Sequence, residues 1–99
     1  MKNLPRGVFT FLDVSTLHIT ERDNELLKQT YEFPLSIYEY ECGYFVHAAG
    51  AEDATQSLYN FGMSEAFIKL WEHACRLDCW YLRLDADGTE FEEFETFEW

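Results

Sequence analysis

Ser64–Leu77, SEAFIKLWEHACRL, followed after one residue by Cys79–Asp85, CWYLRLD, is the stretch in which the spacing of apolar residues changes from helical to extended. In the first segment Phe67, Leu70, Trp71, Ala74 and Cys75 recur at i, i+3, i+4, i+7 and i+8. This is one stripe of a helix, and it leaves Glu65, Lys69, Glu72 and Arg76 for water. Ser64 is placed to cap the free N–H groups, while Met63 and Ile68 occupy the two positions of a hydrophobic staple. In the second segment Trp80, Leu82 and Leu84 alternate with Tyr81 and Arg83, the period of two that marks a strand. A helix with one apolar stripe that runs into a strand with one apolar face predicts helices packed on one side of a sheet.

Working outward, Gly7 to Val14 (GVFTFLDV) is rich in β-branched and aromatic residues and predicts a strand with both faces partly buried, hence a central one. Thr20, with Asp23 three residues on, predicts the N-terminus of a short helix ending near Lys28, docked through Leu26 and Leu27. Pro34 closes that region. Leu35 to Tyr40 and Tyr44 to Ala48 then predict a hairpin turning at Glu41-Cys42-Gly43, with Gly43 supplying a positive φ. Ala49 to Asn60 has no sustained period and predicts a surface loop with a turn of helix near Leu58. Asp87-Gly88 predicts a turn, and Phe91 to Trp99 a last strand or an ordered extended tail. The order β-α-β-β-α-β-β predicts one α+β domain over residues 1–99, with a mostly antiparallel sheet of four to five strands and two helices on one face.

Composition bounds the function. The chain has 99 residues, 47% of them hydrophobic, so one core can form despite a formal charge of -12. That charge repels nucleic acid and anionic membrane and attracts basic protein surfaces. The N-terminus lacks a long apolar stretch and no apolar run reaches membrane-spanning length, so a cytoplasmic location is expected. Cys42, Cys75 and Cys79 are an odd number, which favours free thiols over a disulfide framework.

Several sequence patterns suggest catalysis and fail on context. Asp85-Ala86-Asp87-Gly88-Thr89 has the DxDGT pattern of metal-dependent phosphotransferases, with Asp85 as nucleophile and Asp87 as acid/base. That motif follows an early strand of a parallel α/β domain and needs a Lys downstream, and neither condition is met. His73, Cys75 and Cys79 lack a matching second pair for zinc. Asp13, Ser15 and His18 have no nucleophile elbow around them. The expectation is therefore a protein that is not an enzyme and that has no metal or cofactor.

The residues VSTLHIT (14–20), CGYFVHA (42–48), CWYLRLDADG (79–88) and FETFEW (94–99) resemble a small, functionally uncharacterised family encoded by phages, plasmids and other bacterial mobile elements. The resemblance implies no catalytic residues. It implies a genomic setting in which small acidic proteins often inhibit host defence, some by imitating nucleic acid. On that basis the expected partner is the basic surface of a bacterial nucleic-acid-binding defence protein, with a CRISPR effector as the leading example. The alternative is an acidic homodimeric accessory protein.

The expected contact residues are Glu39, Glu41, Glu52, Asp53, Glu90, Glu92, Glu93, Glu95 and Glu98, with Phe94, Phe97, Trp99 or Tyr38 as apolar anchors. Residues 85–99 carry seven of the nineteen acids and no Lys or Arg. Fully extended at about 3.3 Å per residue, they hold one charge per roughly 7 Å, against one per about 1.7 Å along duplex DNA. The tail alone is too sparse to imitate a duplex, so a charged face of that density requires the hairpin and the loop beside it.

Overall fold

The computed structural model describes residues 4–99 and forms one α+β domain. Its strands are β1 (Phe11–Ser15), β2 (Ile37–Tyr40), β3 (Gly43–His47) and β4 (Tyr81–Asp85), and its helices are α1 (Glu21–Leu27), α2 (Thr55–Phe61) and α3 (Glu65–Arg76). Short 3₁₀ turns over Thr16–His18 and Glu52–Ala54 precede α1 and α2. The sheet order is β1-β4-β3-β2, antiparallel except for the β1–β4 pair.

Burial alternates strictly along β3 and β4. Tyr44, Val46, Leu82 and Leu84 point into the core with Val14, and α3 closes over them through Phe67, Leu70, Trp71, Ala74 and Cys75. The Trp71 indole N–H donates to the His47 carbonyl (2.9 Å), which fixes the helix across the end of β3. The staple forms, with Met63 and Ile68 both buried. Cys75 and Cys79 are buried fillers and Cys42 is exposed, all three free, and burial pushes the Cys75 thiol up to about 11.

The two helix starts read from Thr20 and Ser64 are joined by one carboxylate. Thr20 and Asp23 form a capping box (both bonds 3.0 Å), and Ser64 Oγ accepts from the Phe67 N–H (3.1 Å). Asp23 is fully buried, and besides the Thr20 N–H it accepts from the Ser64 N–H (2.9 Å) and the Ser64 hydroxyl (2.6 Å). Its charge is offset by these donors and by the positive ends of two helices.

Four expectations need correction. First, the strand predicted over Gly7 to Val14 begins only at Phe11, because Gly7 (φ 84°) lies in a turn closed by Val8 N–H to the Pro5 carbonyl (3.1 Å). Second, that strand lies at the sheet edge, paired only with β4, and Phe11 is exposed. Third, residues 49–60 hold a third helix, α2, whose one fully buried side chain, Leu58, left no period to detect. Gly62 (φ 112°) ends α2, with Met63 N–H reaching back to the Leu58 carbonyl (3.1 Å).

Fourth, Gly43 does not have a positive φ. It is required by close approach, since a Cβ there would lie 1.7 Å from the Leu84 carbonyl oxygen. Phe91 to Trp99, expected as a last strand or an ordered extended tail, is the tail. It is a strap in which Phe91, Phe94 and Phe97 turn inward every third residue and the glutamates between them are exposed.

Replacing Asp23 by Ala removes three accepted hydrogen bonds at once. We expect a loss of about 3 kcal/mol in urea unfolding with an unchanged m-value, whereas Glu25→Ala on the exposed side of α1 costs under about 0.5 kcal/mol.

Candidate interaction surfaces

Two surfaces stand out, one acidic and one aromatic. The acidic surface is the strap, and His18 holds it. This imidazole is buried, accepts the Phe91 N–H at Nε2 (2.8 Å) and faces the Glu95 carbonyl with Nδ1 (2.8 Å). A carbonyl only accepts and an N–H only donates, so the partners fix the neutral tautomer with its proton on Nδ1. The strap is further tied by Phe97 N–H to the Leu17 carbonyl (2.8 Å) and by the Trp99 indole N–H to the Ile19 carbonyl (2.9 Å). Phe94 packs between His18 (6.1 Å) and His73 (5.7 Å). The side chains of Glu90, Glu92, Glu93, Glu95 and Glu98 are exposed, and none pairs with a described Lys or Arg.

The other predicted contact residues divide. Glu39 and Glu41 lie beside the end of the strap, lining with Trp99 and Lys28 an open cleft of about 350 Å³. Glu93 and Glu95 meet Glu65 and Lys69 in a second cleft next to His18. Glu52 lines a third cleft with Trp71, Glu72 and Arg76, which shares no residue with the other two, and its neighbour Asp53 is exposed on the same turn. The strap and the hairpin therefore come together, and the middle loop stands apart. Of the expected anchors, Phe94 and Phe97 are half-buried in internal packing, Trp99 is 50% exposed and Tyr38 is 57% exposed.

Tyr38 belongs to the second surface, which sequence reasoning missed. All helices pack on one side of the sheet, and the other side carries three cross-strand rows fixed by register. They are Phe11–Tyr81–His47, Asp13–Arg83–Phe45–Tyr38 and Ser15–Asp85–Gly43–Tyr40. The rings contact one another edge to face, Phe11 with Phe45 (5.4 Å), Phe45 with Tyr81 (5.7 Å) and Tyr38 with Tyr81 (6.1 Å). Trp80 was expected on the Leu82 face. It precedes β4 instead and extends the aromatic side, against His47 (5.7 Å) and Phe9 (4.9 Å). The signal was present in the sequence, since apart from the buried Tyr44 aliphatic and aromatic residues occupy opposite parities in these strands.

The charged groups on this face are internally organised. Asp13 accepts from Arg83 (2.9 and 3.0 Å) through one oxygen and from the Thr89 N–H and hydroxyl (3.2 and 2.9 Å) through the other. The Arg83 guanidinium lies 4.6 Å from the centre of the Phe11 ring. Tyr40 reaches across Gly43 to donate to Asp85, whose second oxygen accepts the Asp87 N–H (2.7 Å). The Tyr40 bond, with the Asp87 N–H second, lowers the Asp85 pKa, while burial and Asp85 push the Tyr40 phenol up to about 12.

The Asp85-to-Thr89 segment is thus a turn, closed by Gly88 N–H to the Asp85 carbonyl (2.9 Å). Gly88 is needed there because a Cβ would lie 2.5 Å from the Val14 carbonyl. Ser15 caps the Leu17 N–H (3.1 Å). No group of three metal-ligating side chains occurs among the described residues, and no described helix is long and apolar enough to cross a membrane.

His18→Ala removes both ring contacts with the strap. Amide exchange at Phe91 and Phe97 is expected to accelerate at least about tenfold while β3 and β4 stay protected, as hydrogen-exchange NMR would record. Tyr40→Phe removes the first support of the ionised Asp85. Its carboxyl carbon, followed by NMR titration, should ionise at higher pH than in the parent. Because the folded-state pKa of Asp85 is depressed, its contribution to stability is present above the unfolded value and is lost as pH falls through the folded one.

No curated protein and no solved structure matches the chain. A family model described as "Family of unknown function (DUF5983) C-terminal domain" matches residues 11–99, and the chain belongs to that family.

Proposed function

We propose that this protein is a non-enzymatic binding module that presents an anionic surface to a basic, nucleic-acid-binding surface of another protein. The observation that carries this reading is the strap. Its three phenylalanines are turned into the domain and its five glutamates are left outward without a described cationic partner, in a chain of formal charge -12. Like charges held together cost stability through self-repulsion. A cationic partner surface relieves that repulsion and gains speed of association from long-range attraction.

Glu39 and Glu41 strengthen this support by lying next to the strap's end, where they add the carboxylates that the tail by itself lacks. Glu52 and Asp53 contribute to the far field and not to the same contact. The partner class that fits is a bacterial defence protein with a groove for nucleic acid, a CRISPR effector being one example. The chain acts there by occupying the groove.

The test is affinity capture from a bacterial lysate, with the triple variant Glu92→Lys, Glu93→Lys, Glu95→Lys as control, followed by kinetics on the captured protein. We expect association to slow at least about tenfold in the variant, and affinity to fall steeply as salt rises toward physiological strength. An affinity that does not change with salt rules out the electrostatic reading.

A further inference from the structure

We propose that the uncovered aromatic side of the sheet, centred on Phe45 between Tyr38 and Tyr81, is the surface that seats arginine side chains of the partner. This rests on the reading of the protein as a binder of basic surfaces and names the face and the residue type that carry the contact.

The first ground is the division of the sheet. Aliphatic residues and Tyr44 face the helices, and Phe11, Tyr38, Phe45 and Tyr81 lie on the other side, where Tyr38 and Phe11 are both exposed. A contiguous exposed apolar patch on a soluble domain marks an interaction surface.

The second ground is that the face already holds one guanidinium. Arg83 lies over Phe11 at 4.6 Å and within 6.0 Å of Phe45, with the Asp13 carboxylate behind it. Phe45 and Tyr38 continue that row across β3 and β2, on the side of Arg83 away from Asp13. Tyr81 meets both Phe45 and Tyr38 edge to face, Tyr38 is exposed with no described cation over its ring, and Asp85 lies one row along from Phe45. A carboxylate has about four lone-pair sites, and Asp85 uses two, for Tyr40 and the Asp87 N–H. Arginine suits this arrangement better than lysine, because a planar guanidinium stacks on a ring and pairs with a carboxylate together.

Charge decides among occupants. A second copy would bring another formal charge of -12 against the first. A nucleic acid would meet aromatic rings able to stack its bases, but the cation on the face, Arg83, is already paired with Asp13.

Size fits a central anchor. Four strands about 4.8 Å apart and five residues long give a platform of roughly 240 Å², against about 800 Å² per partner in a stable interface. The remainder falls to the surroundings of the platform, where Glu41 stands exposed in the turn between β2 and β3. The arrangement is an apolar centre with the Asp85 carboxylate and the Glu41 turn at one end of it.

The test uses two synthetic peptides of equal charge, one alternating arginine with glycine and one alternating lysine with glycine, titrated into the isotope-labelled protein and followed by NMR. We expect the largest shifts at the rings of Phe11, Tyr38, Phe45 and Tyr81, and several-fold tighter binding of the arginine peptide. Tyr38→Ser should weaken that binding about fivefold at unchanged stability.

Shifts confined to Glu90–Glu98, with equal affinity for the two peptides, overturn this inference and leave the anionic-binder reading intact. If neither peptide binds at low salt, both fail. Light scattering that shows a dimer dissociated by Tyr38→Arg gives the face to a second copy, and perturbation of the same rings by oligothymidylate gives it to a nucleic acid; either result overturns the proposal.

Discussion

The fold depends on a buried carboxylate. Asp23 belongs to the N-terminal turn of α1 and accepts hydrogen bonds from residue 64, the cap of α3. An isolated ionised carboxylate in such a position would be severely destabilising, and here three donors and two helix N-termini surround it. The cost of burial is offset only when both helices are docked together. Local capping and tertiary packing are thereby made into one event, and the short α1, too small to stand alone, is held by α3 as well as by its own leucines.

Much of this was legible from residue spacing. The stripe from Phe67 to Cys75, the staple, the two caps and the alternation of Leu82 and Leu84 all appear where the sequence places them, because each is a local pattern with one physical solution. The parts that were not legible rest on contacts between distant segments. The edge position of β1 depends on pairing with β4, which no local pattern encodes. The strap has a period of three, Phe91, Phe94 and Phe97, which is neither that of a strand nor that of a helix, and its place is set by His18 from the other end of the chain. Gly43 is a turn-like residue retained for the closeness of the Leu84 backbone. Helix α2 showed in the sequence only as a turn near Leu58 because it buries little.

The candidate surfaces follow the same division. The acidic residues were visible as a composition, and folding sorted them, bringing the hairpin pair to the strap and leaving Glu52 and Asp53 elsewhere. The aromatic face was present as a parity pattern in four separate strands and became a surface only when the register aligned Phe11, Tyr81, Phe45 and Tyr38. One side of the sheet is aliphatic but for Tyr44 and closed, the other aromatic and open. Rings with polar edges tolerate water better than leucine does, and they retain large flat areas for contact.

The parallel pairing of β1 with β4 bears on how the chain assembles. Strands β2 and β3 are neighbours in sequence and meet through a tight turn, so they need nothing else. Strand β1 pairs with a segment seventy residues further on, Asp13 with Arg83. As the chain leaves a ribosome, β1 therefore has no strand partner until β4 has been made, and the phenylalanine strap follows β4. Early translation products carry an unpaired edge with Phe9 and Phe11 upon it, and contacts of such long range slow folding. Much of the negative charge also arrives late, since seven of the nineteen acids lie in residues 85–99, so the repulsion that loads the native state is completed only with the segment that completes the sheet.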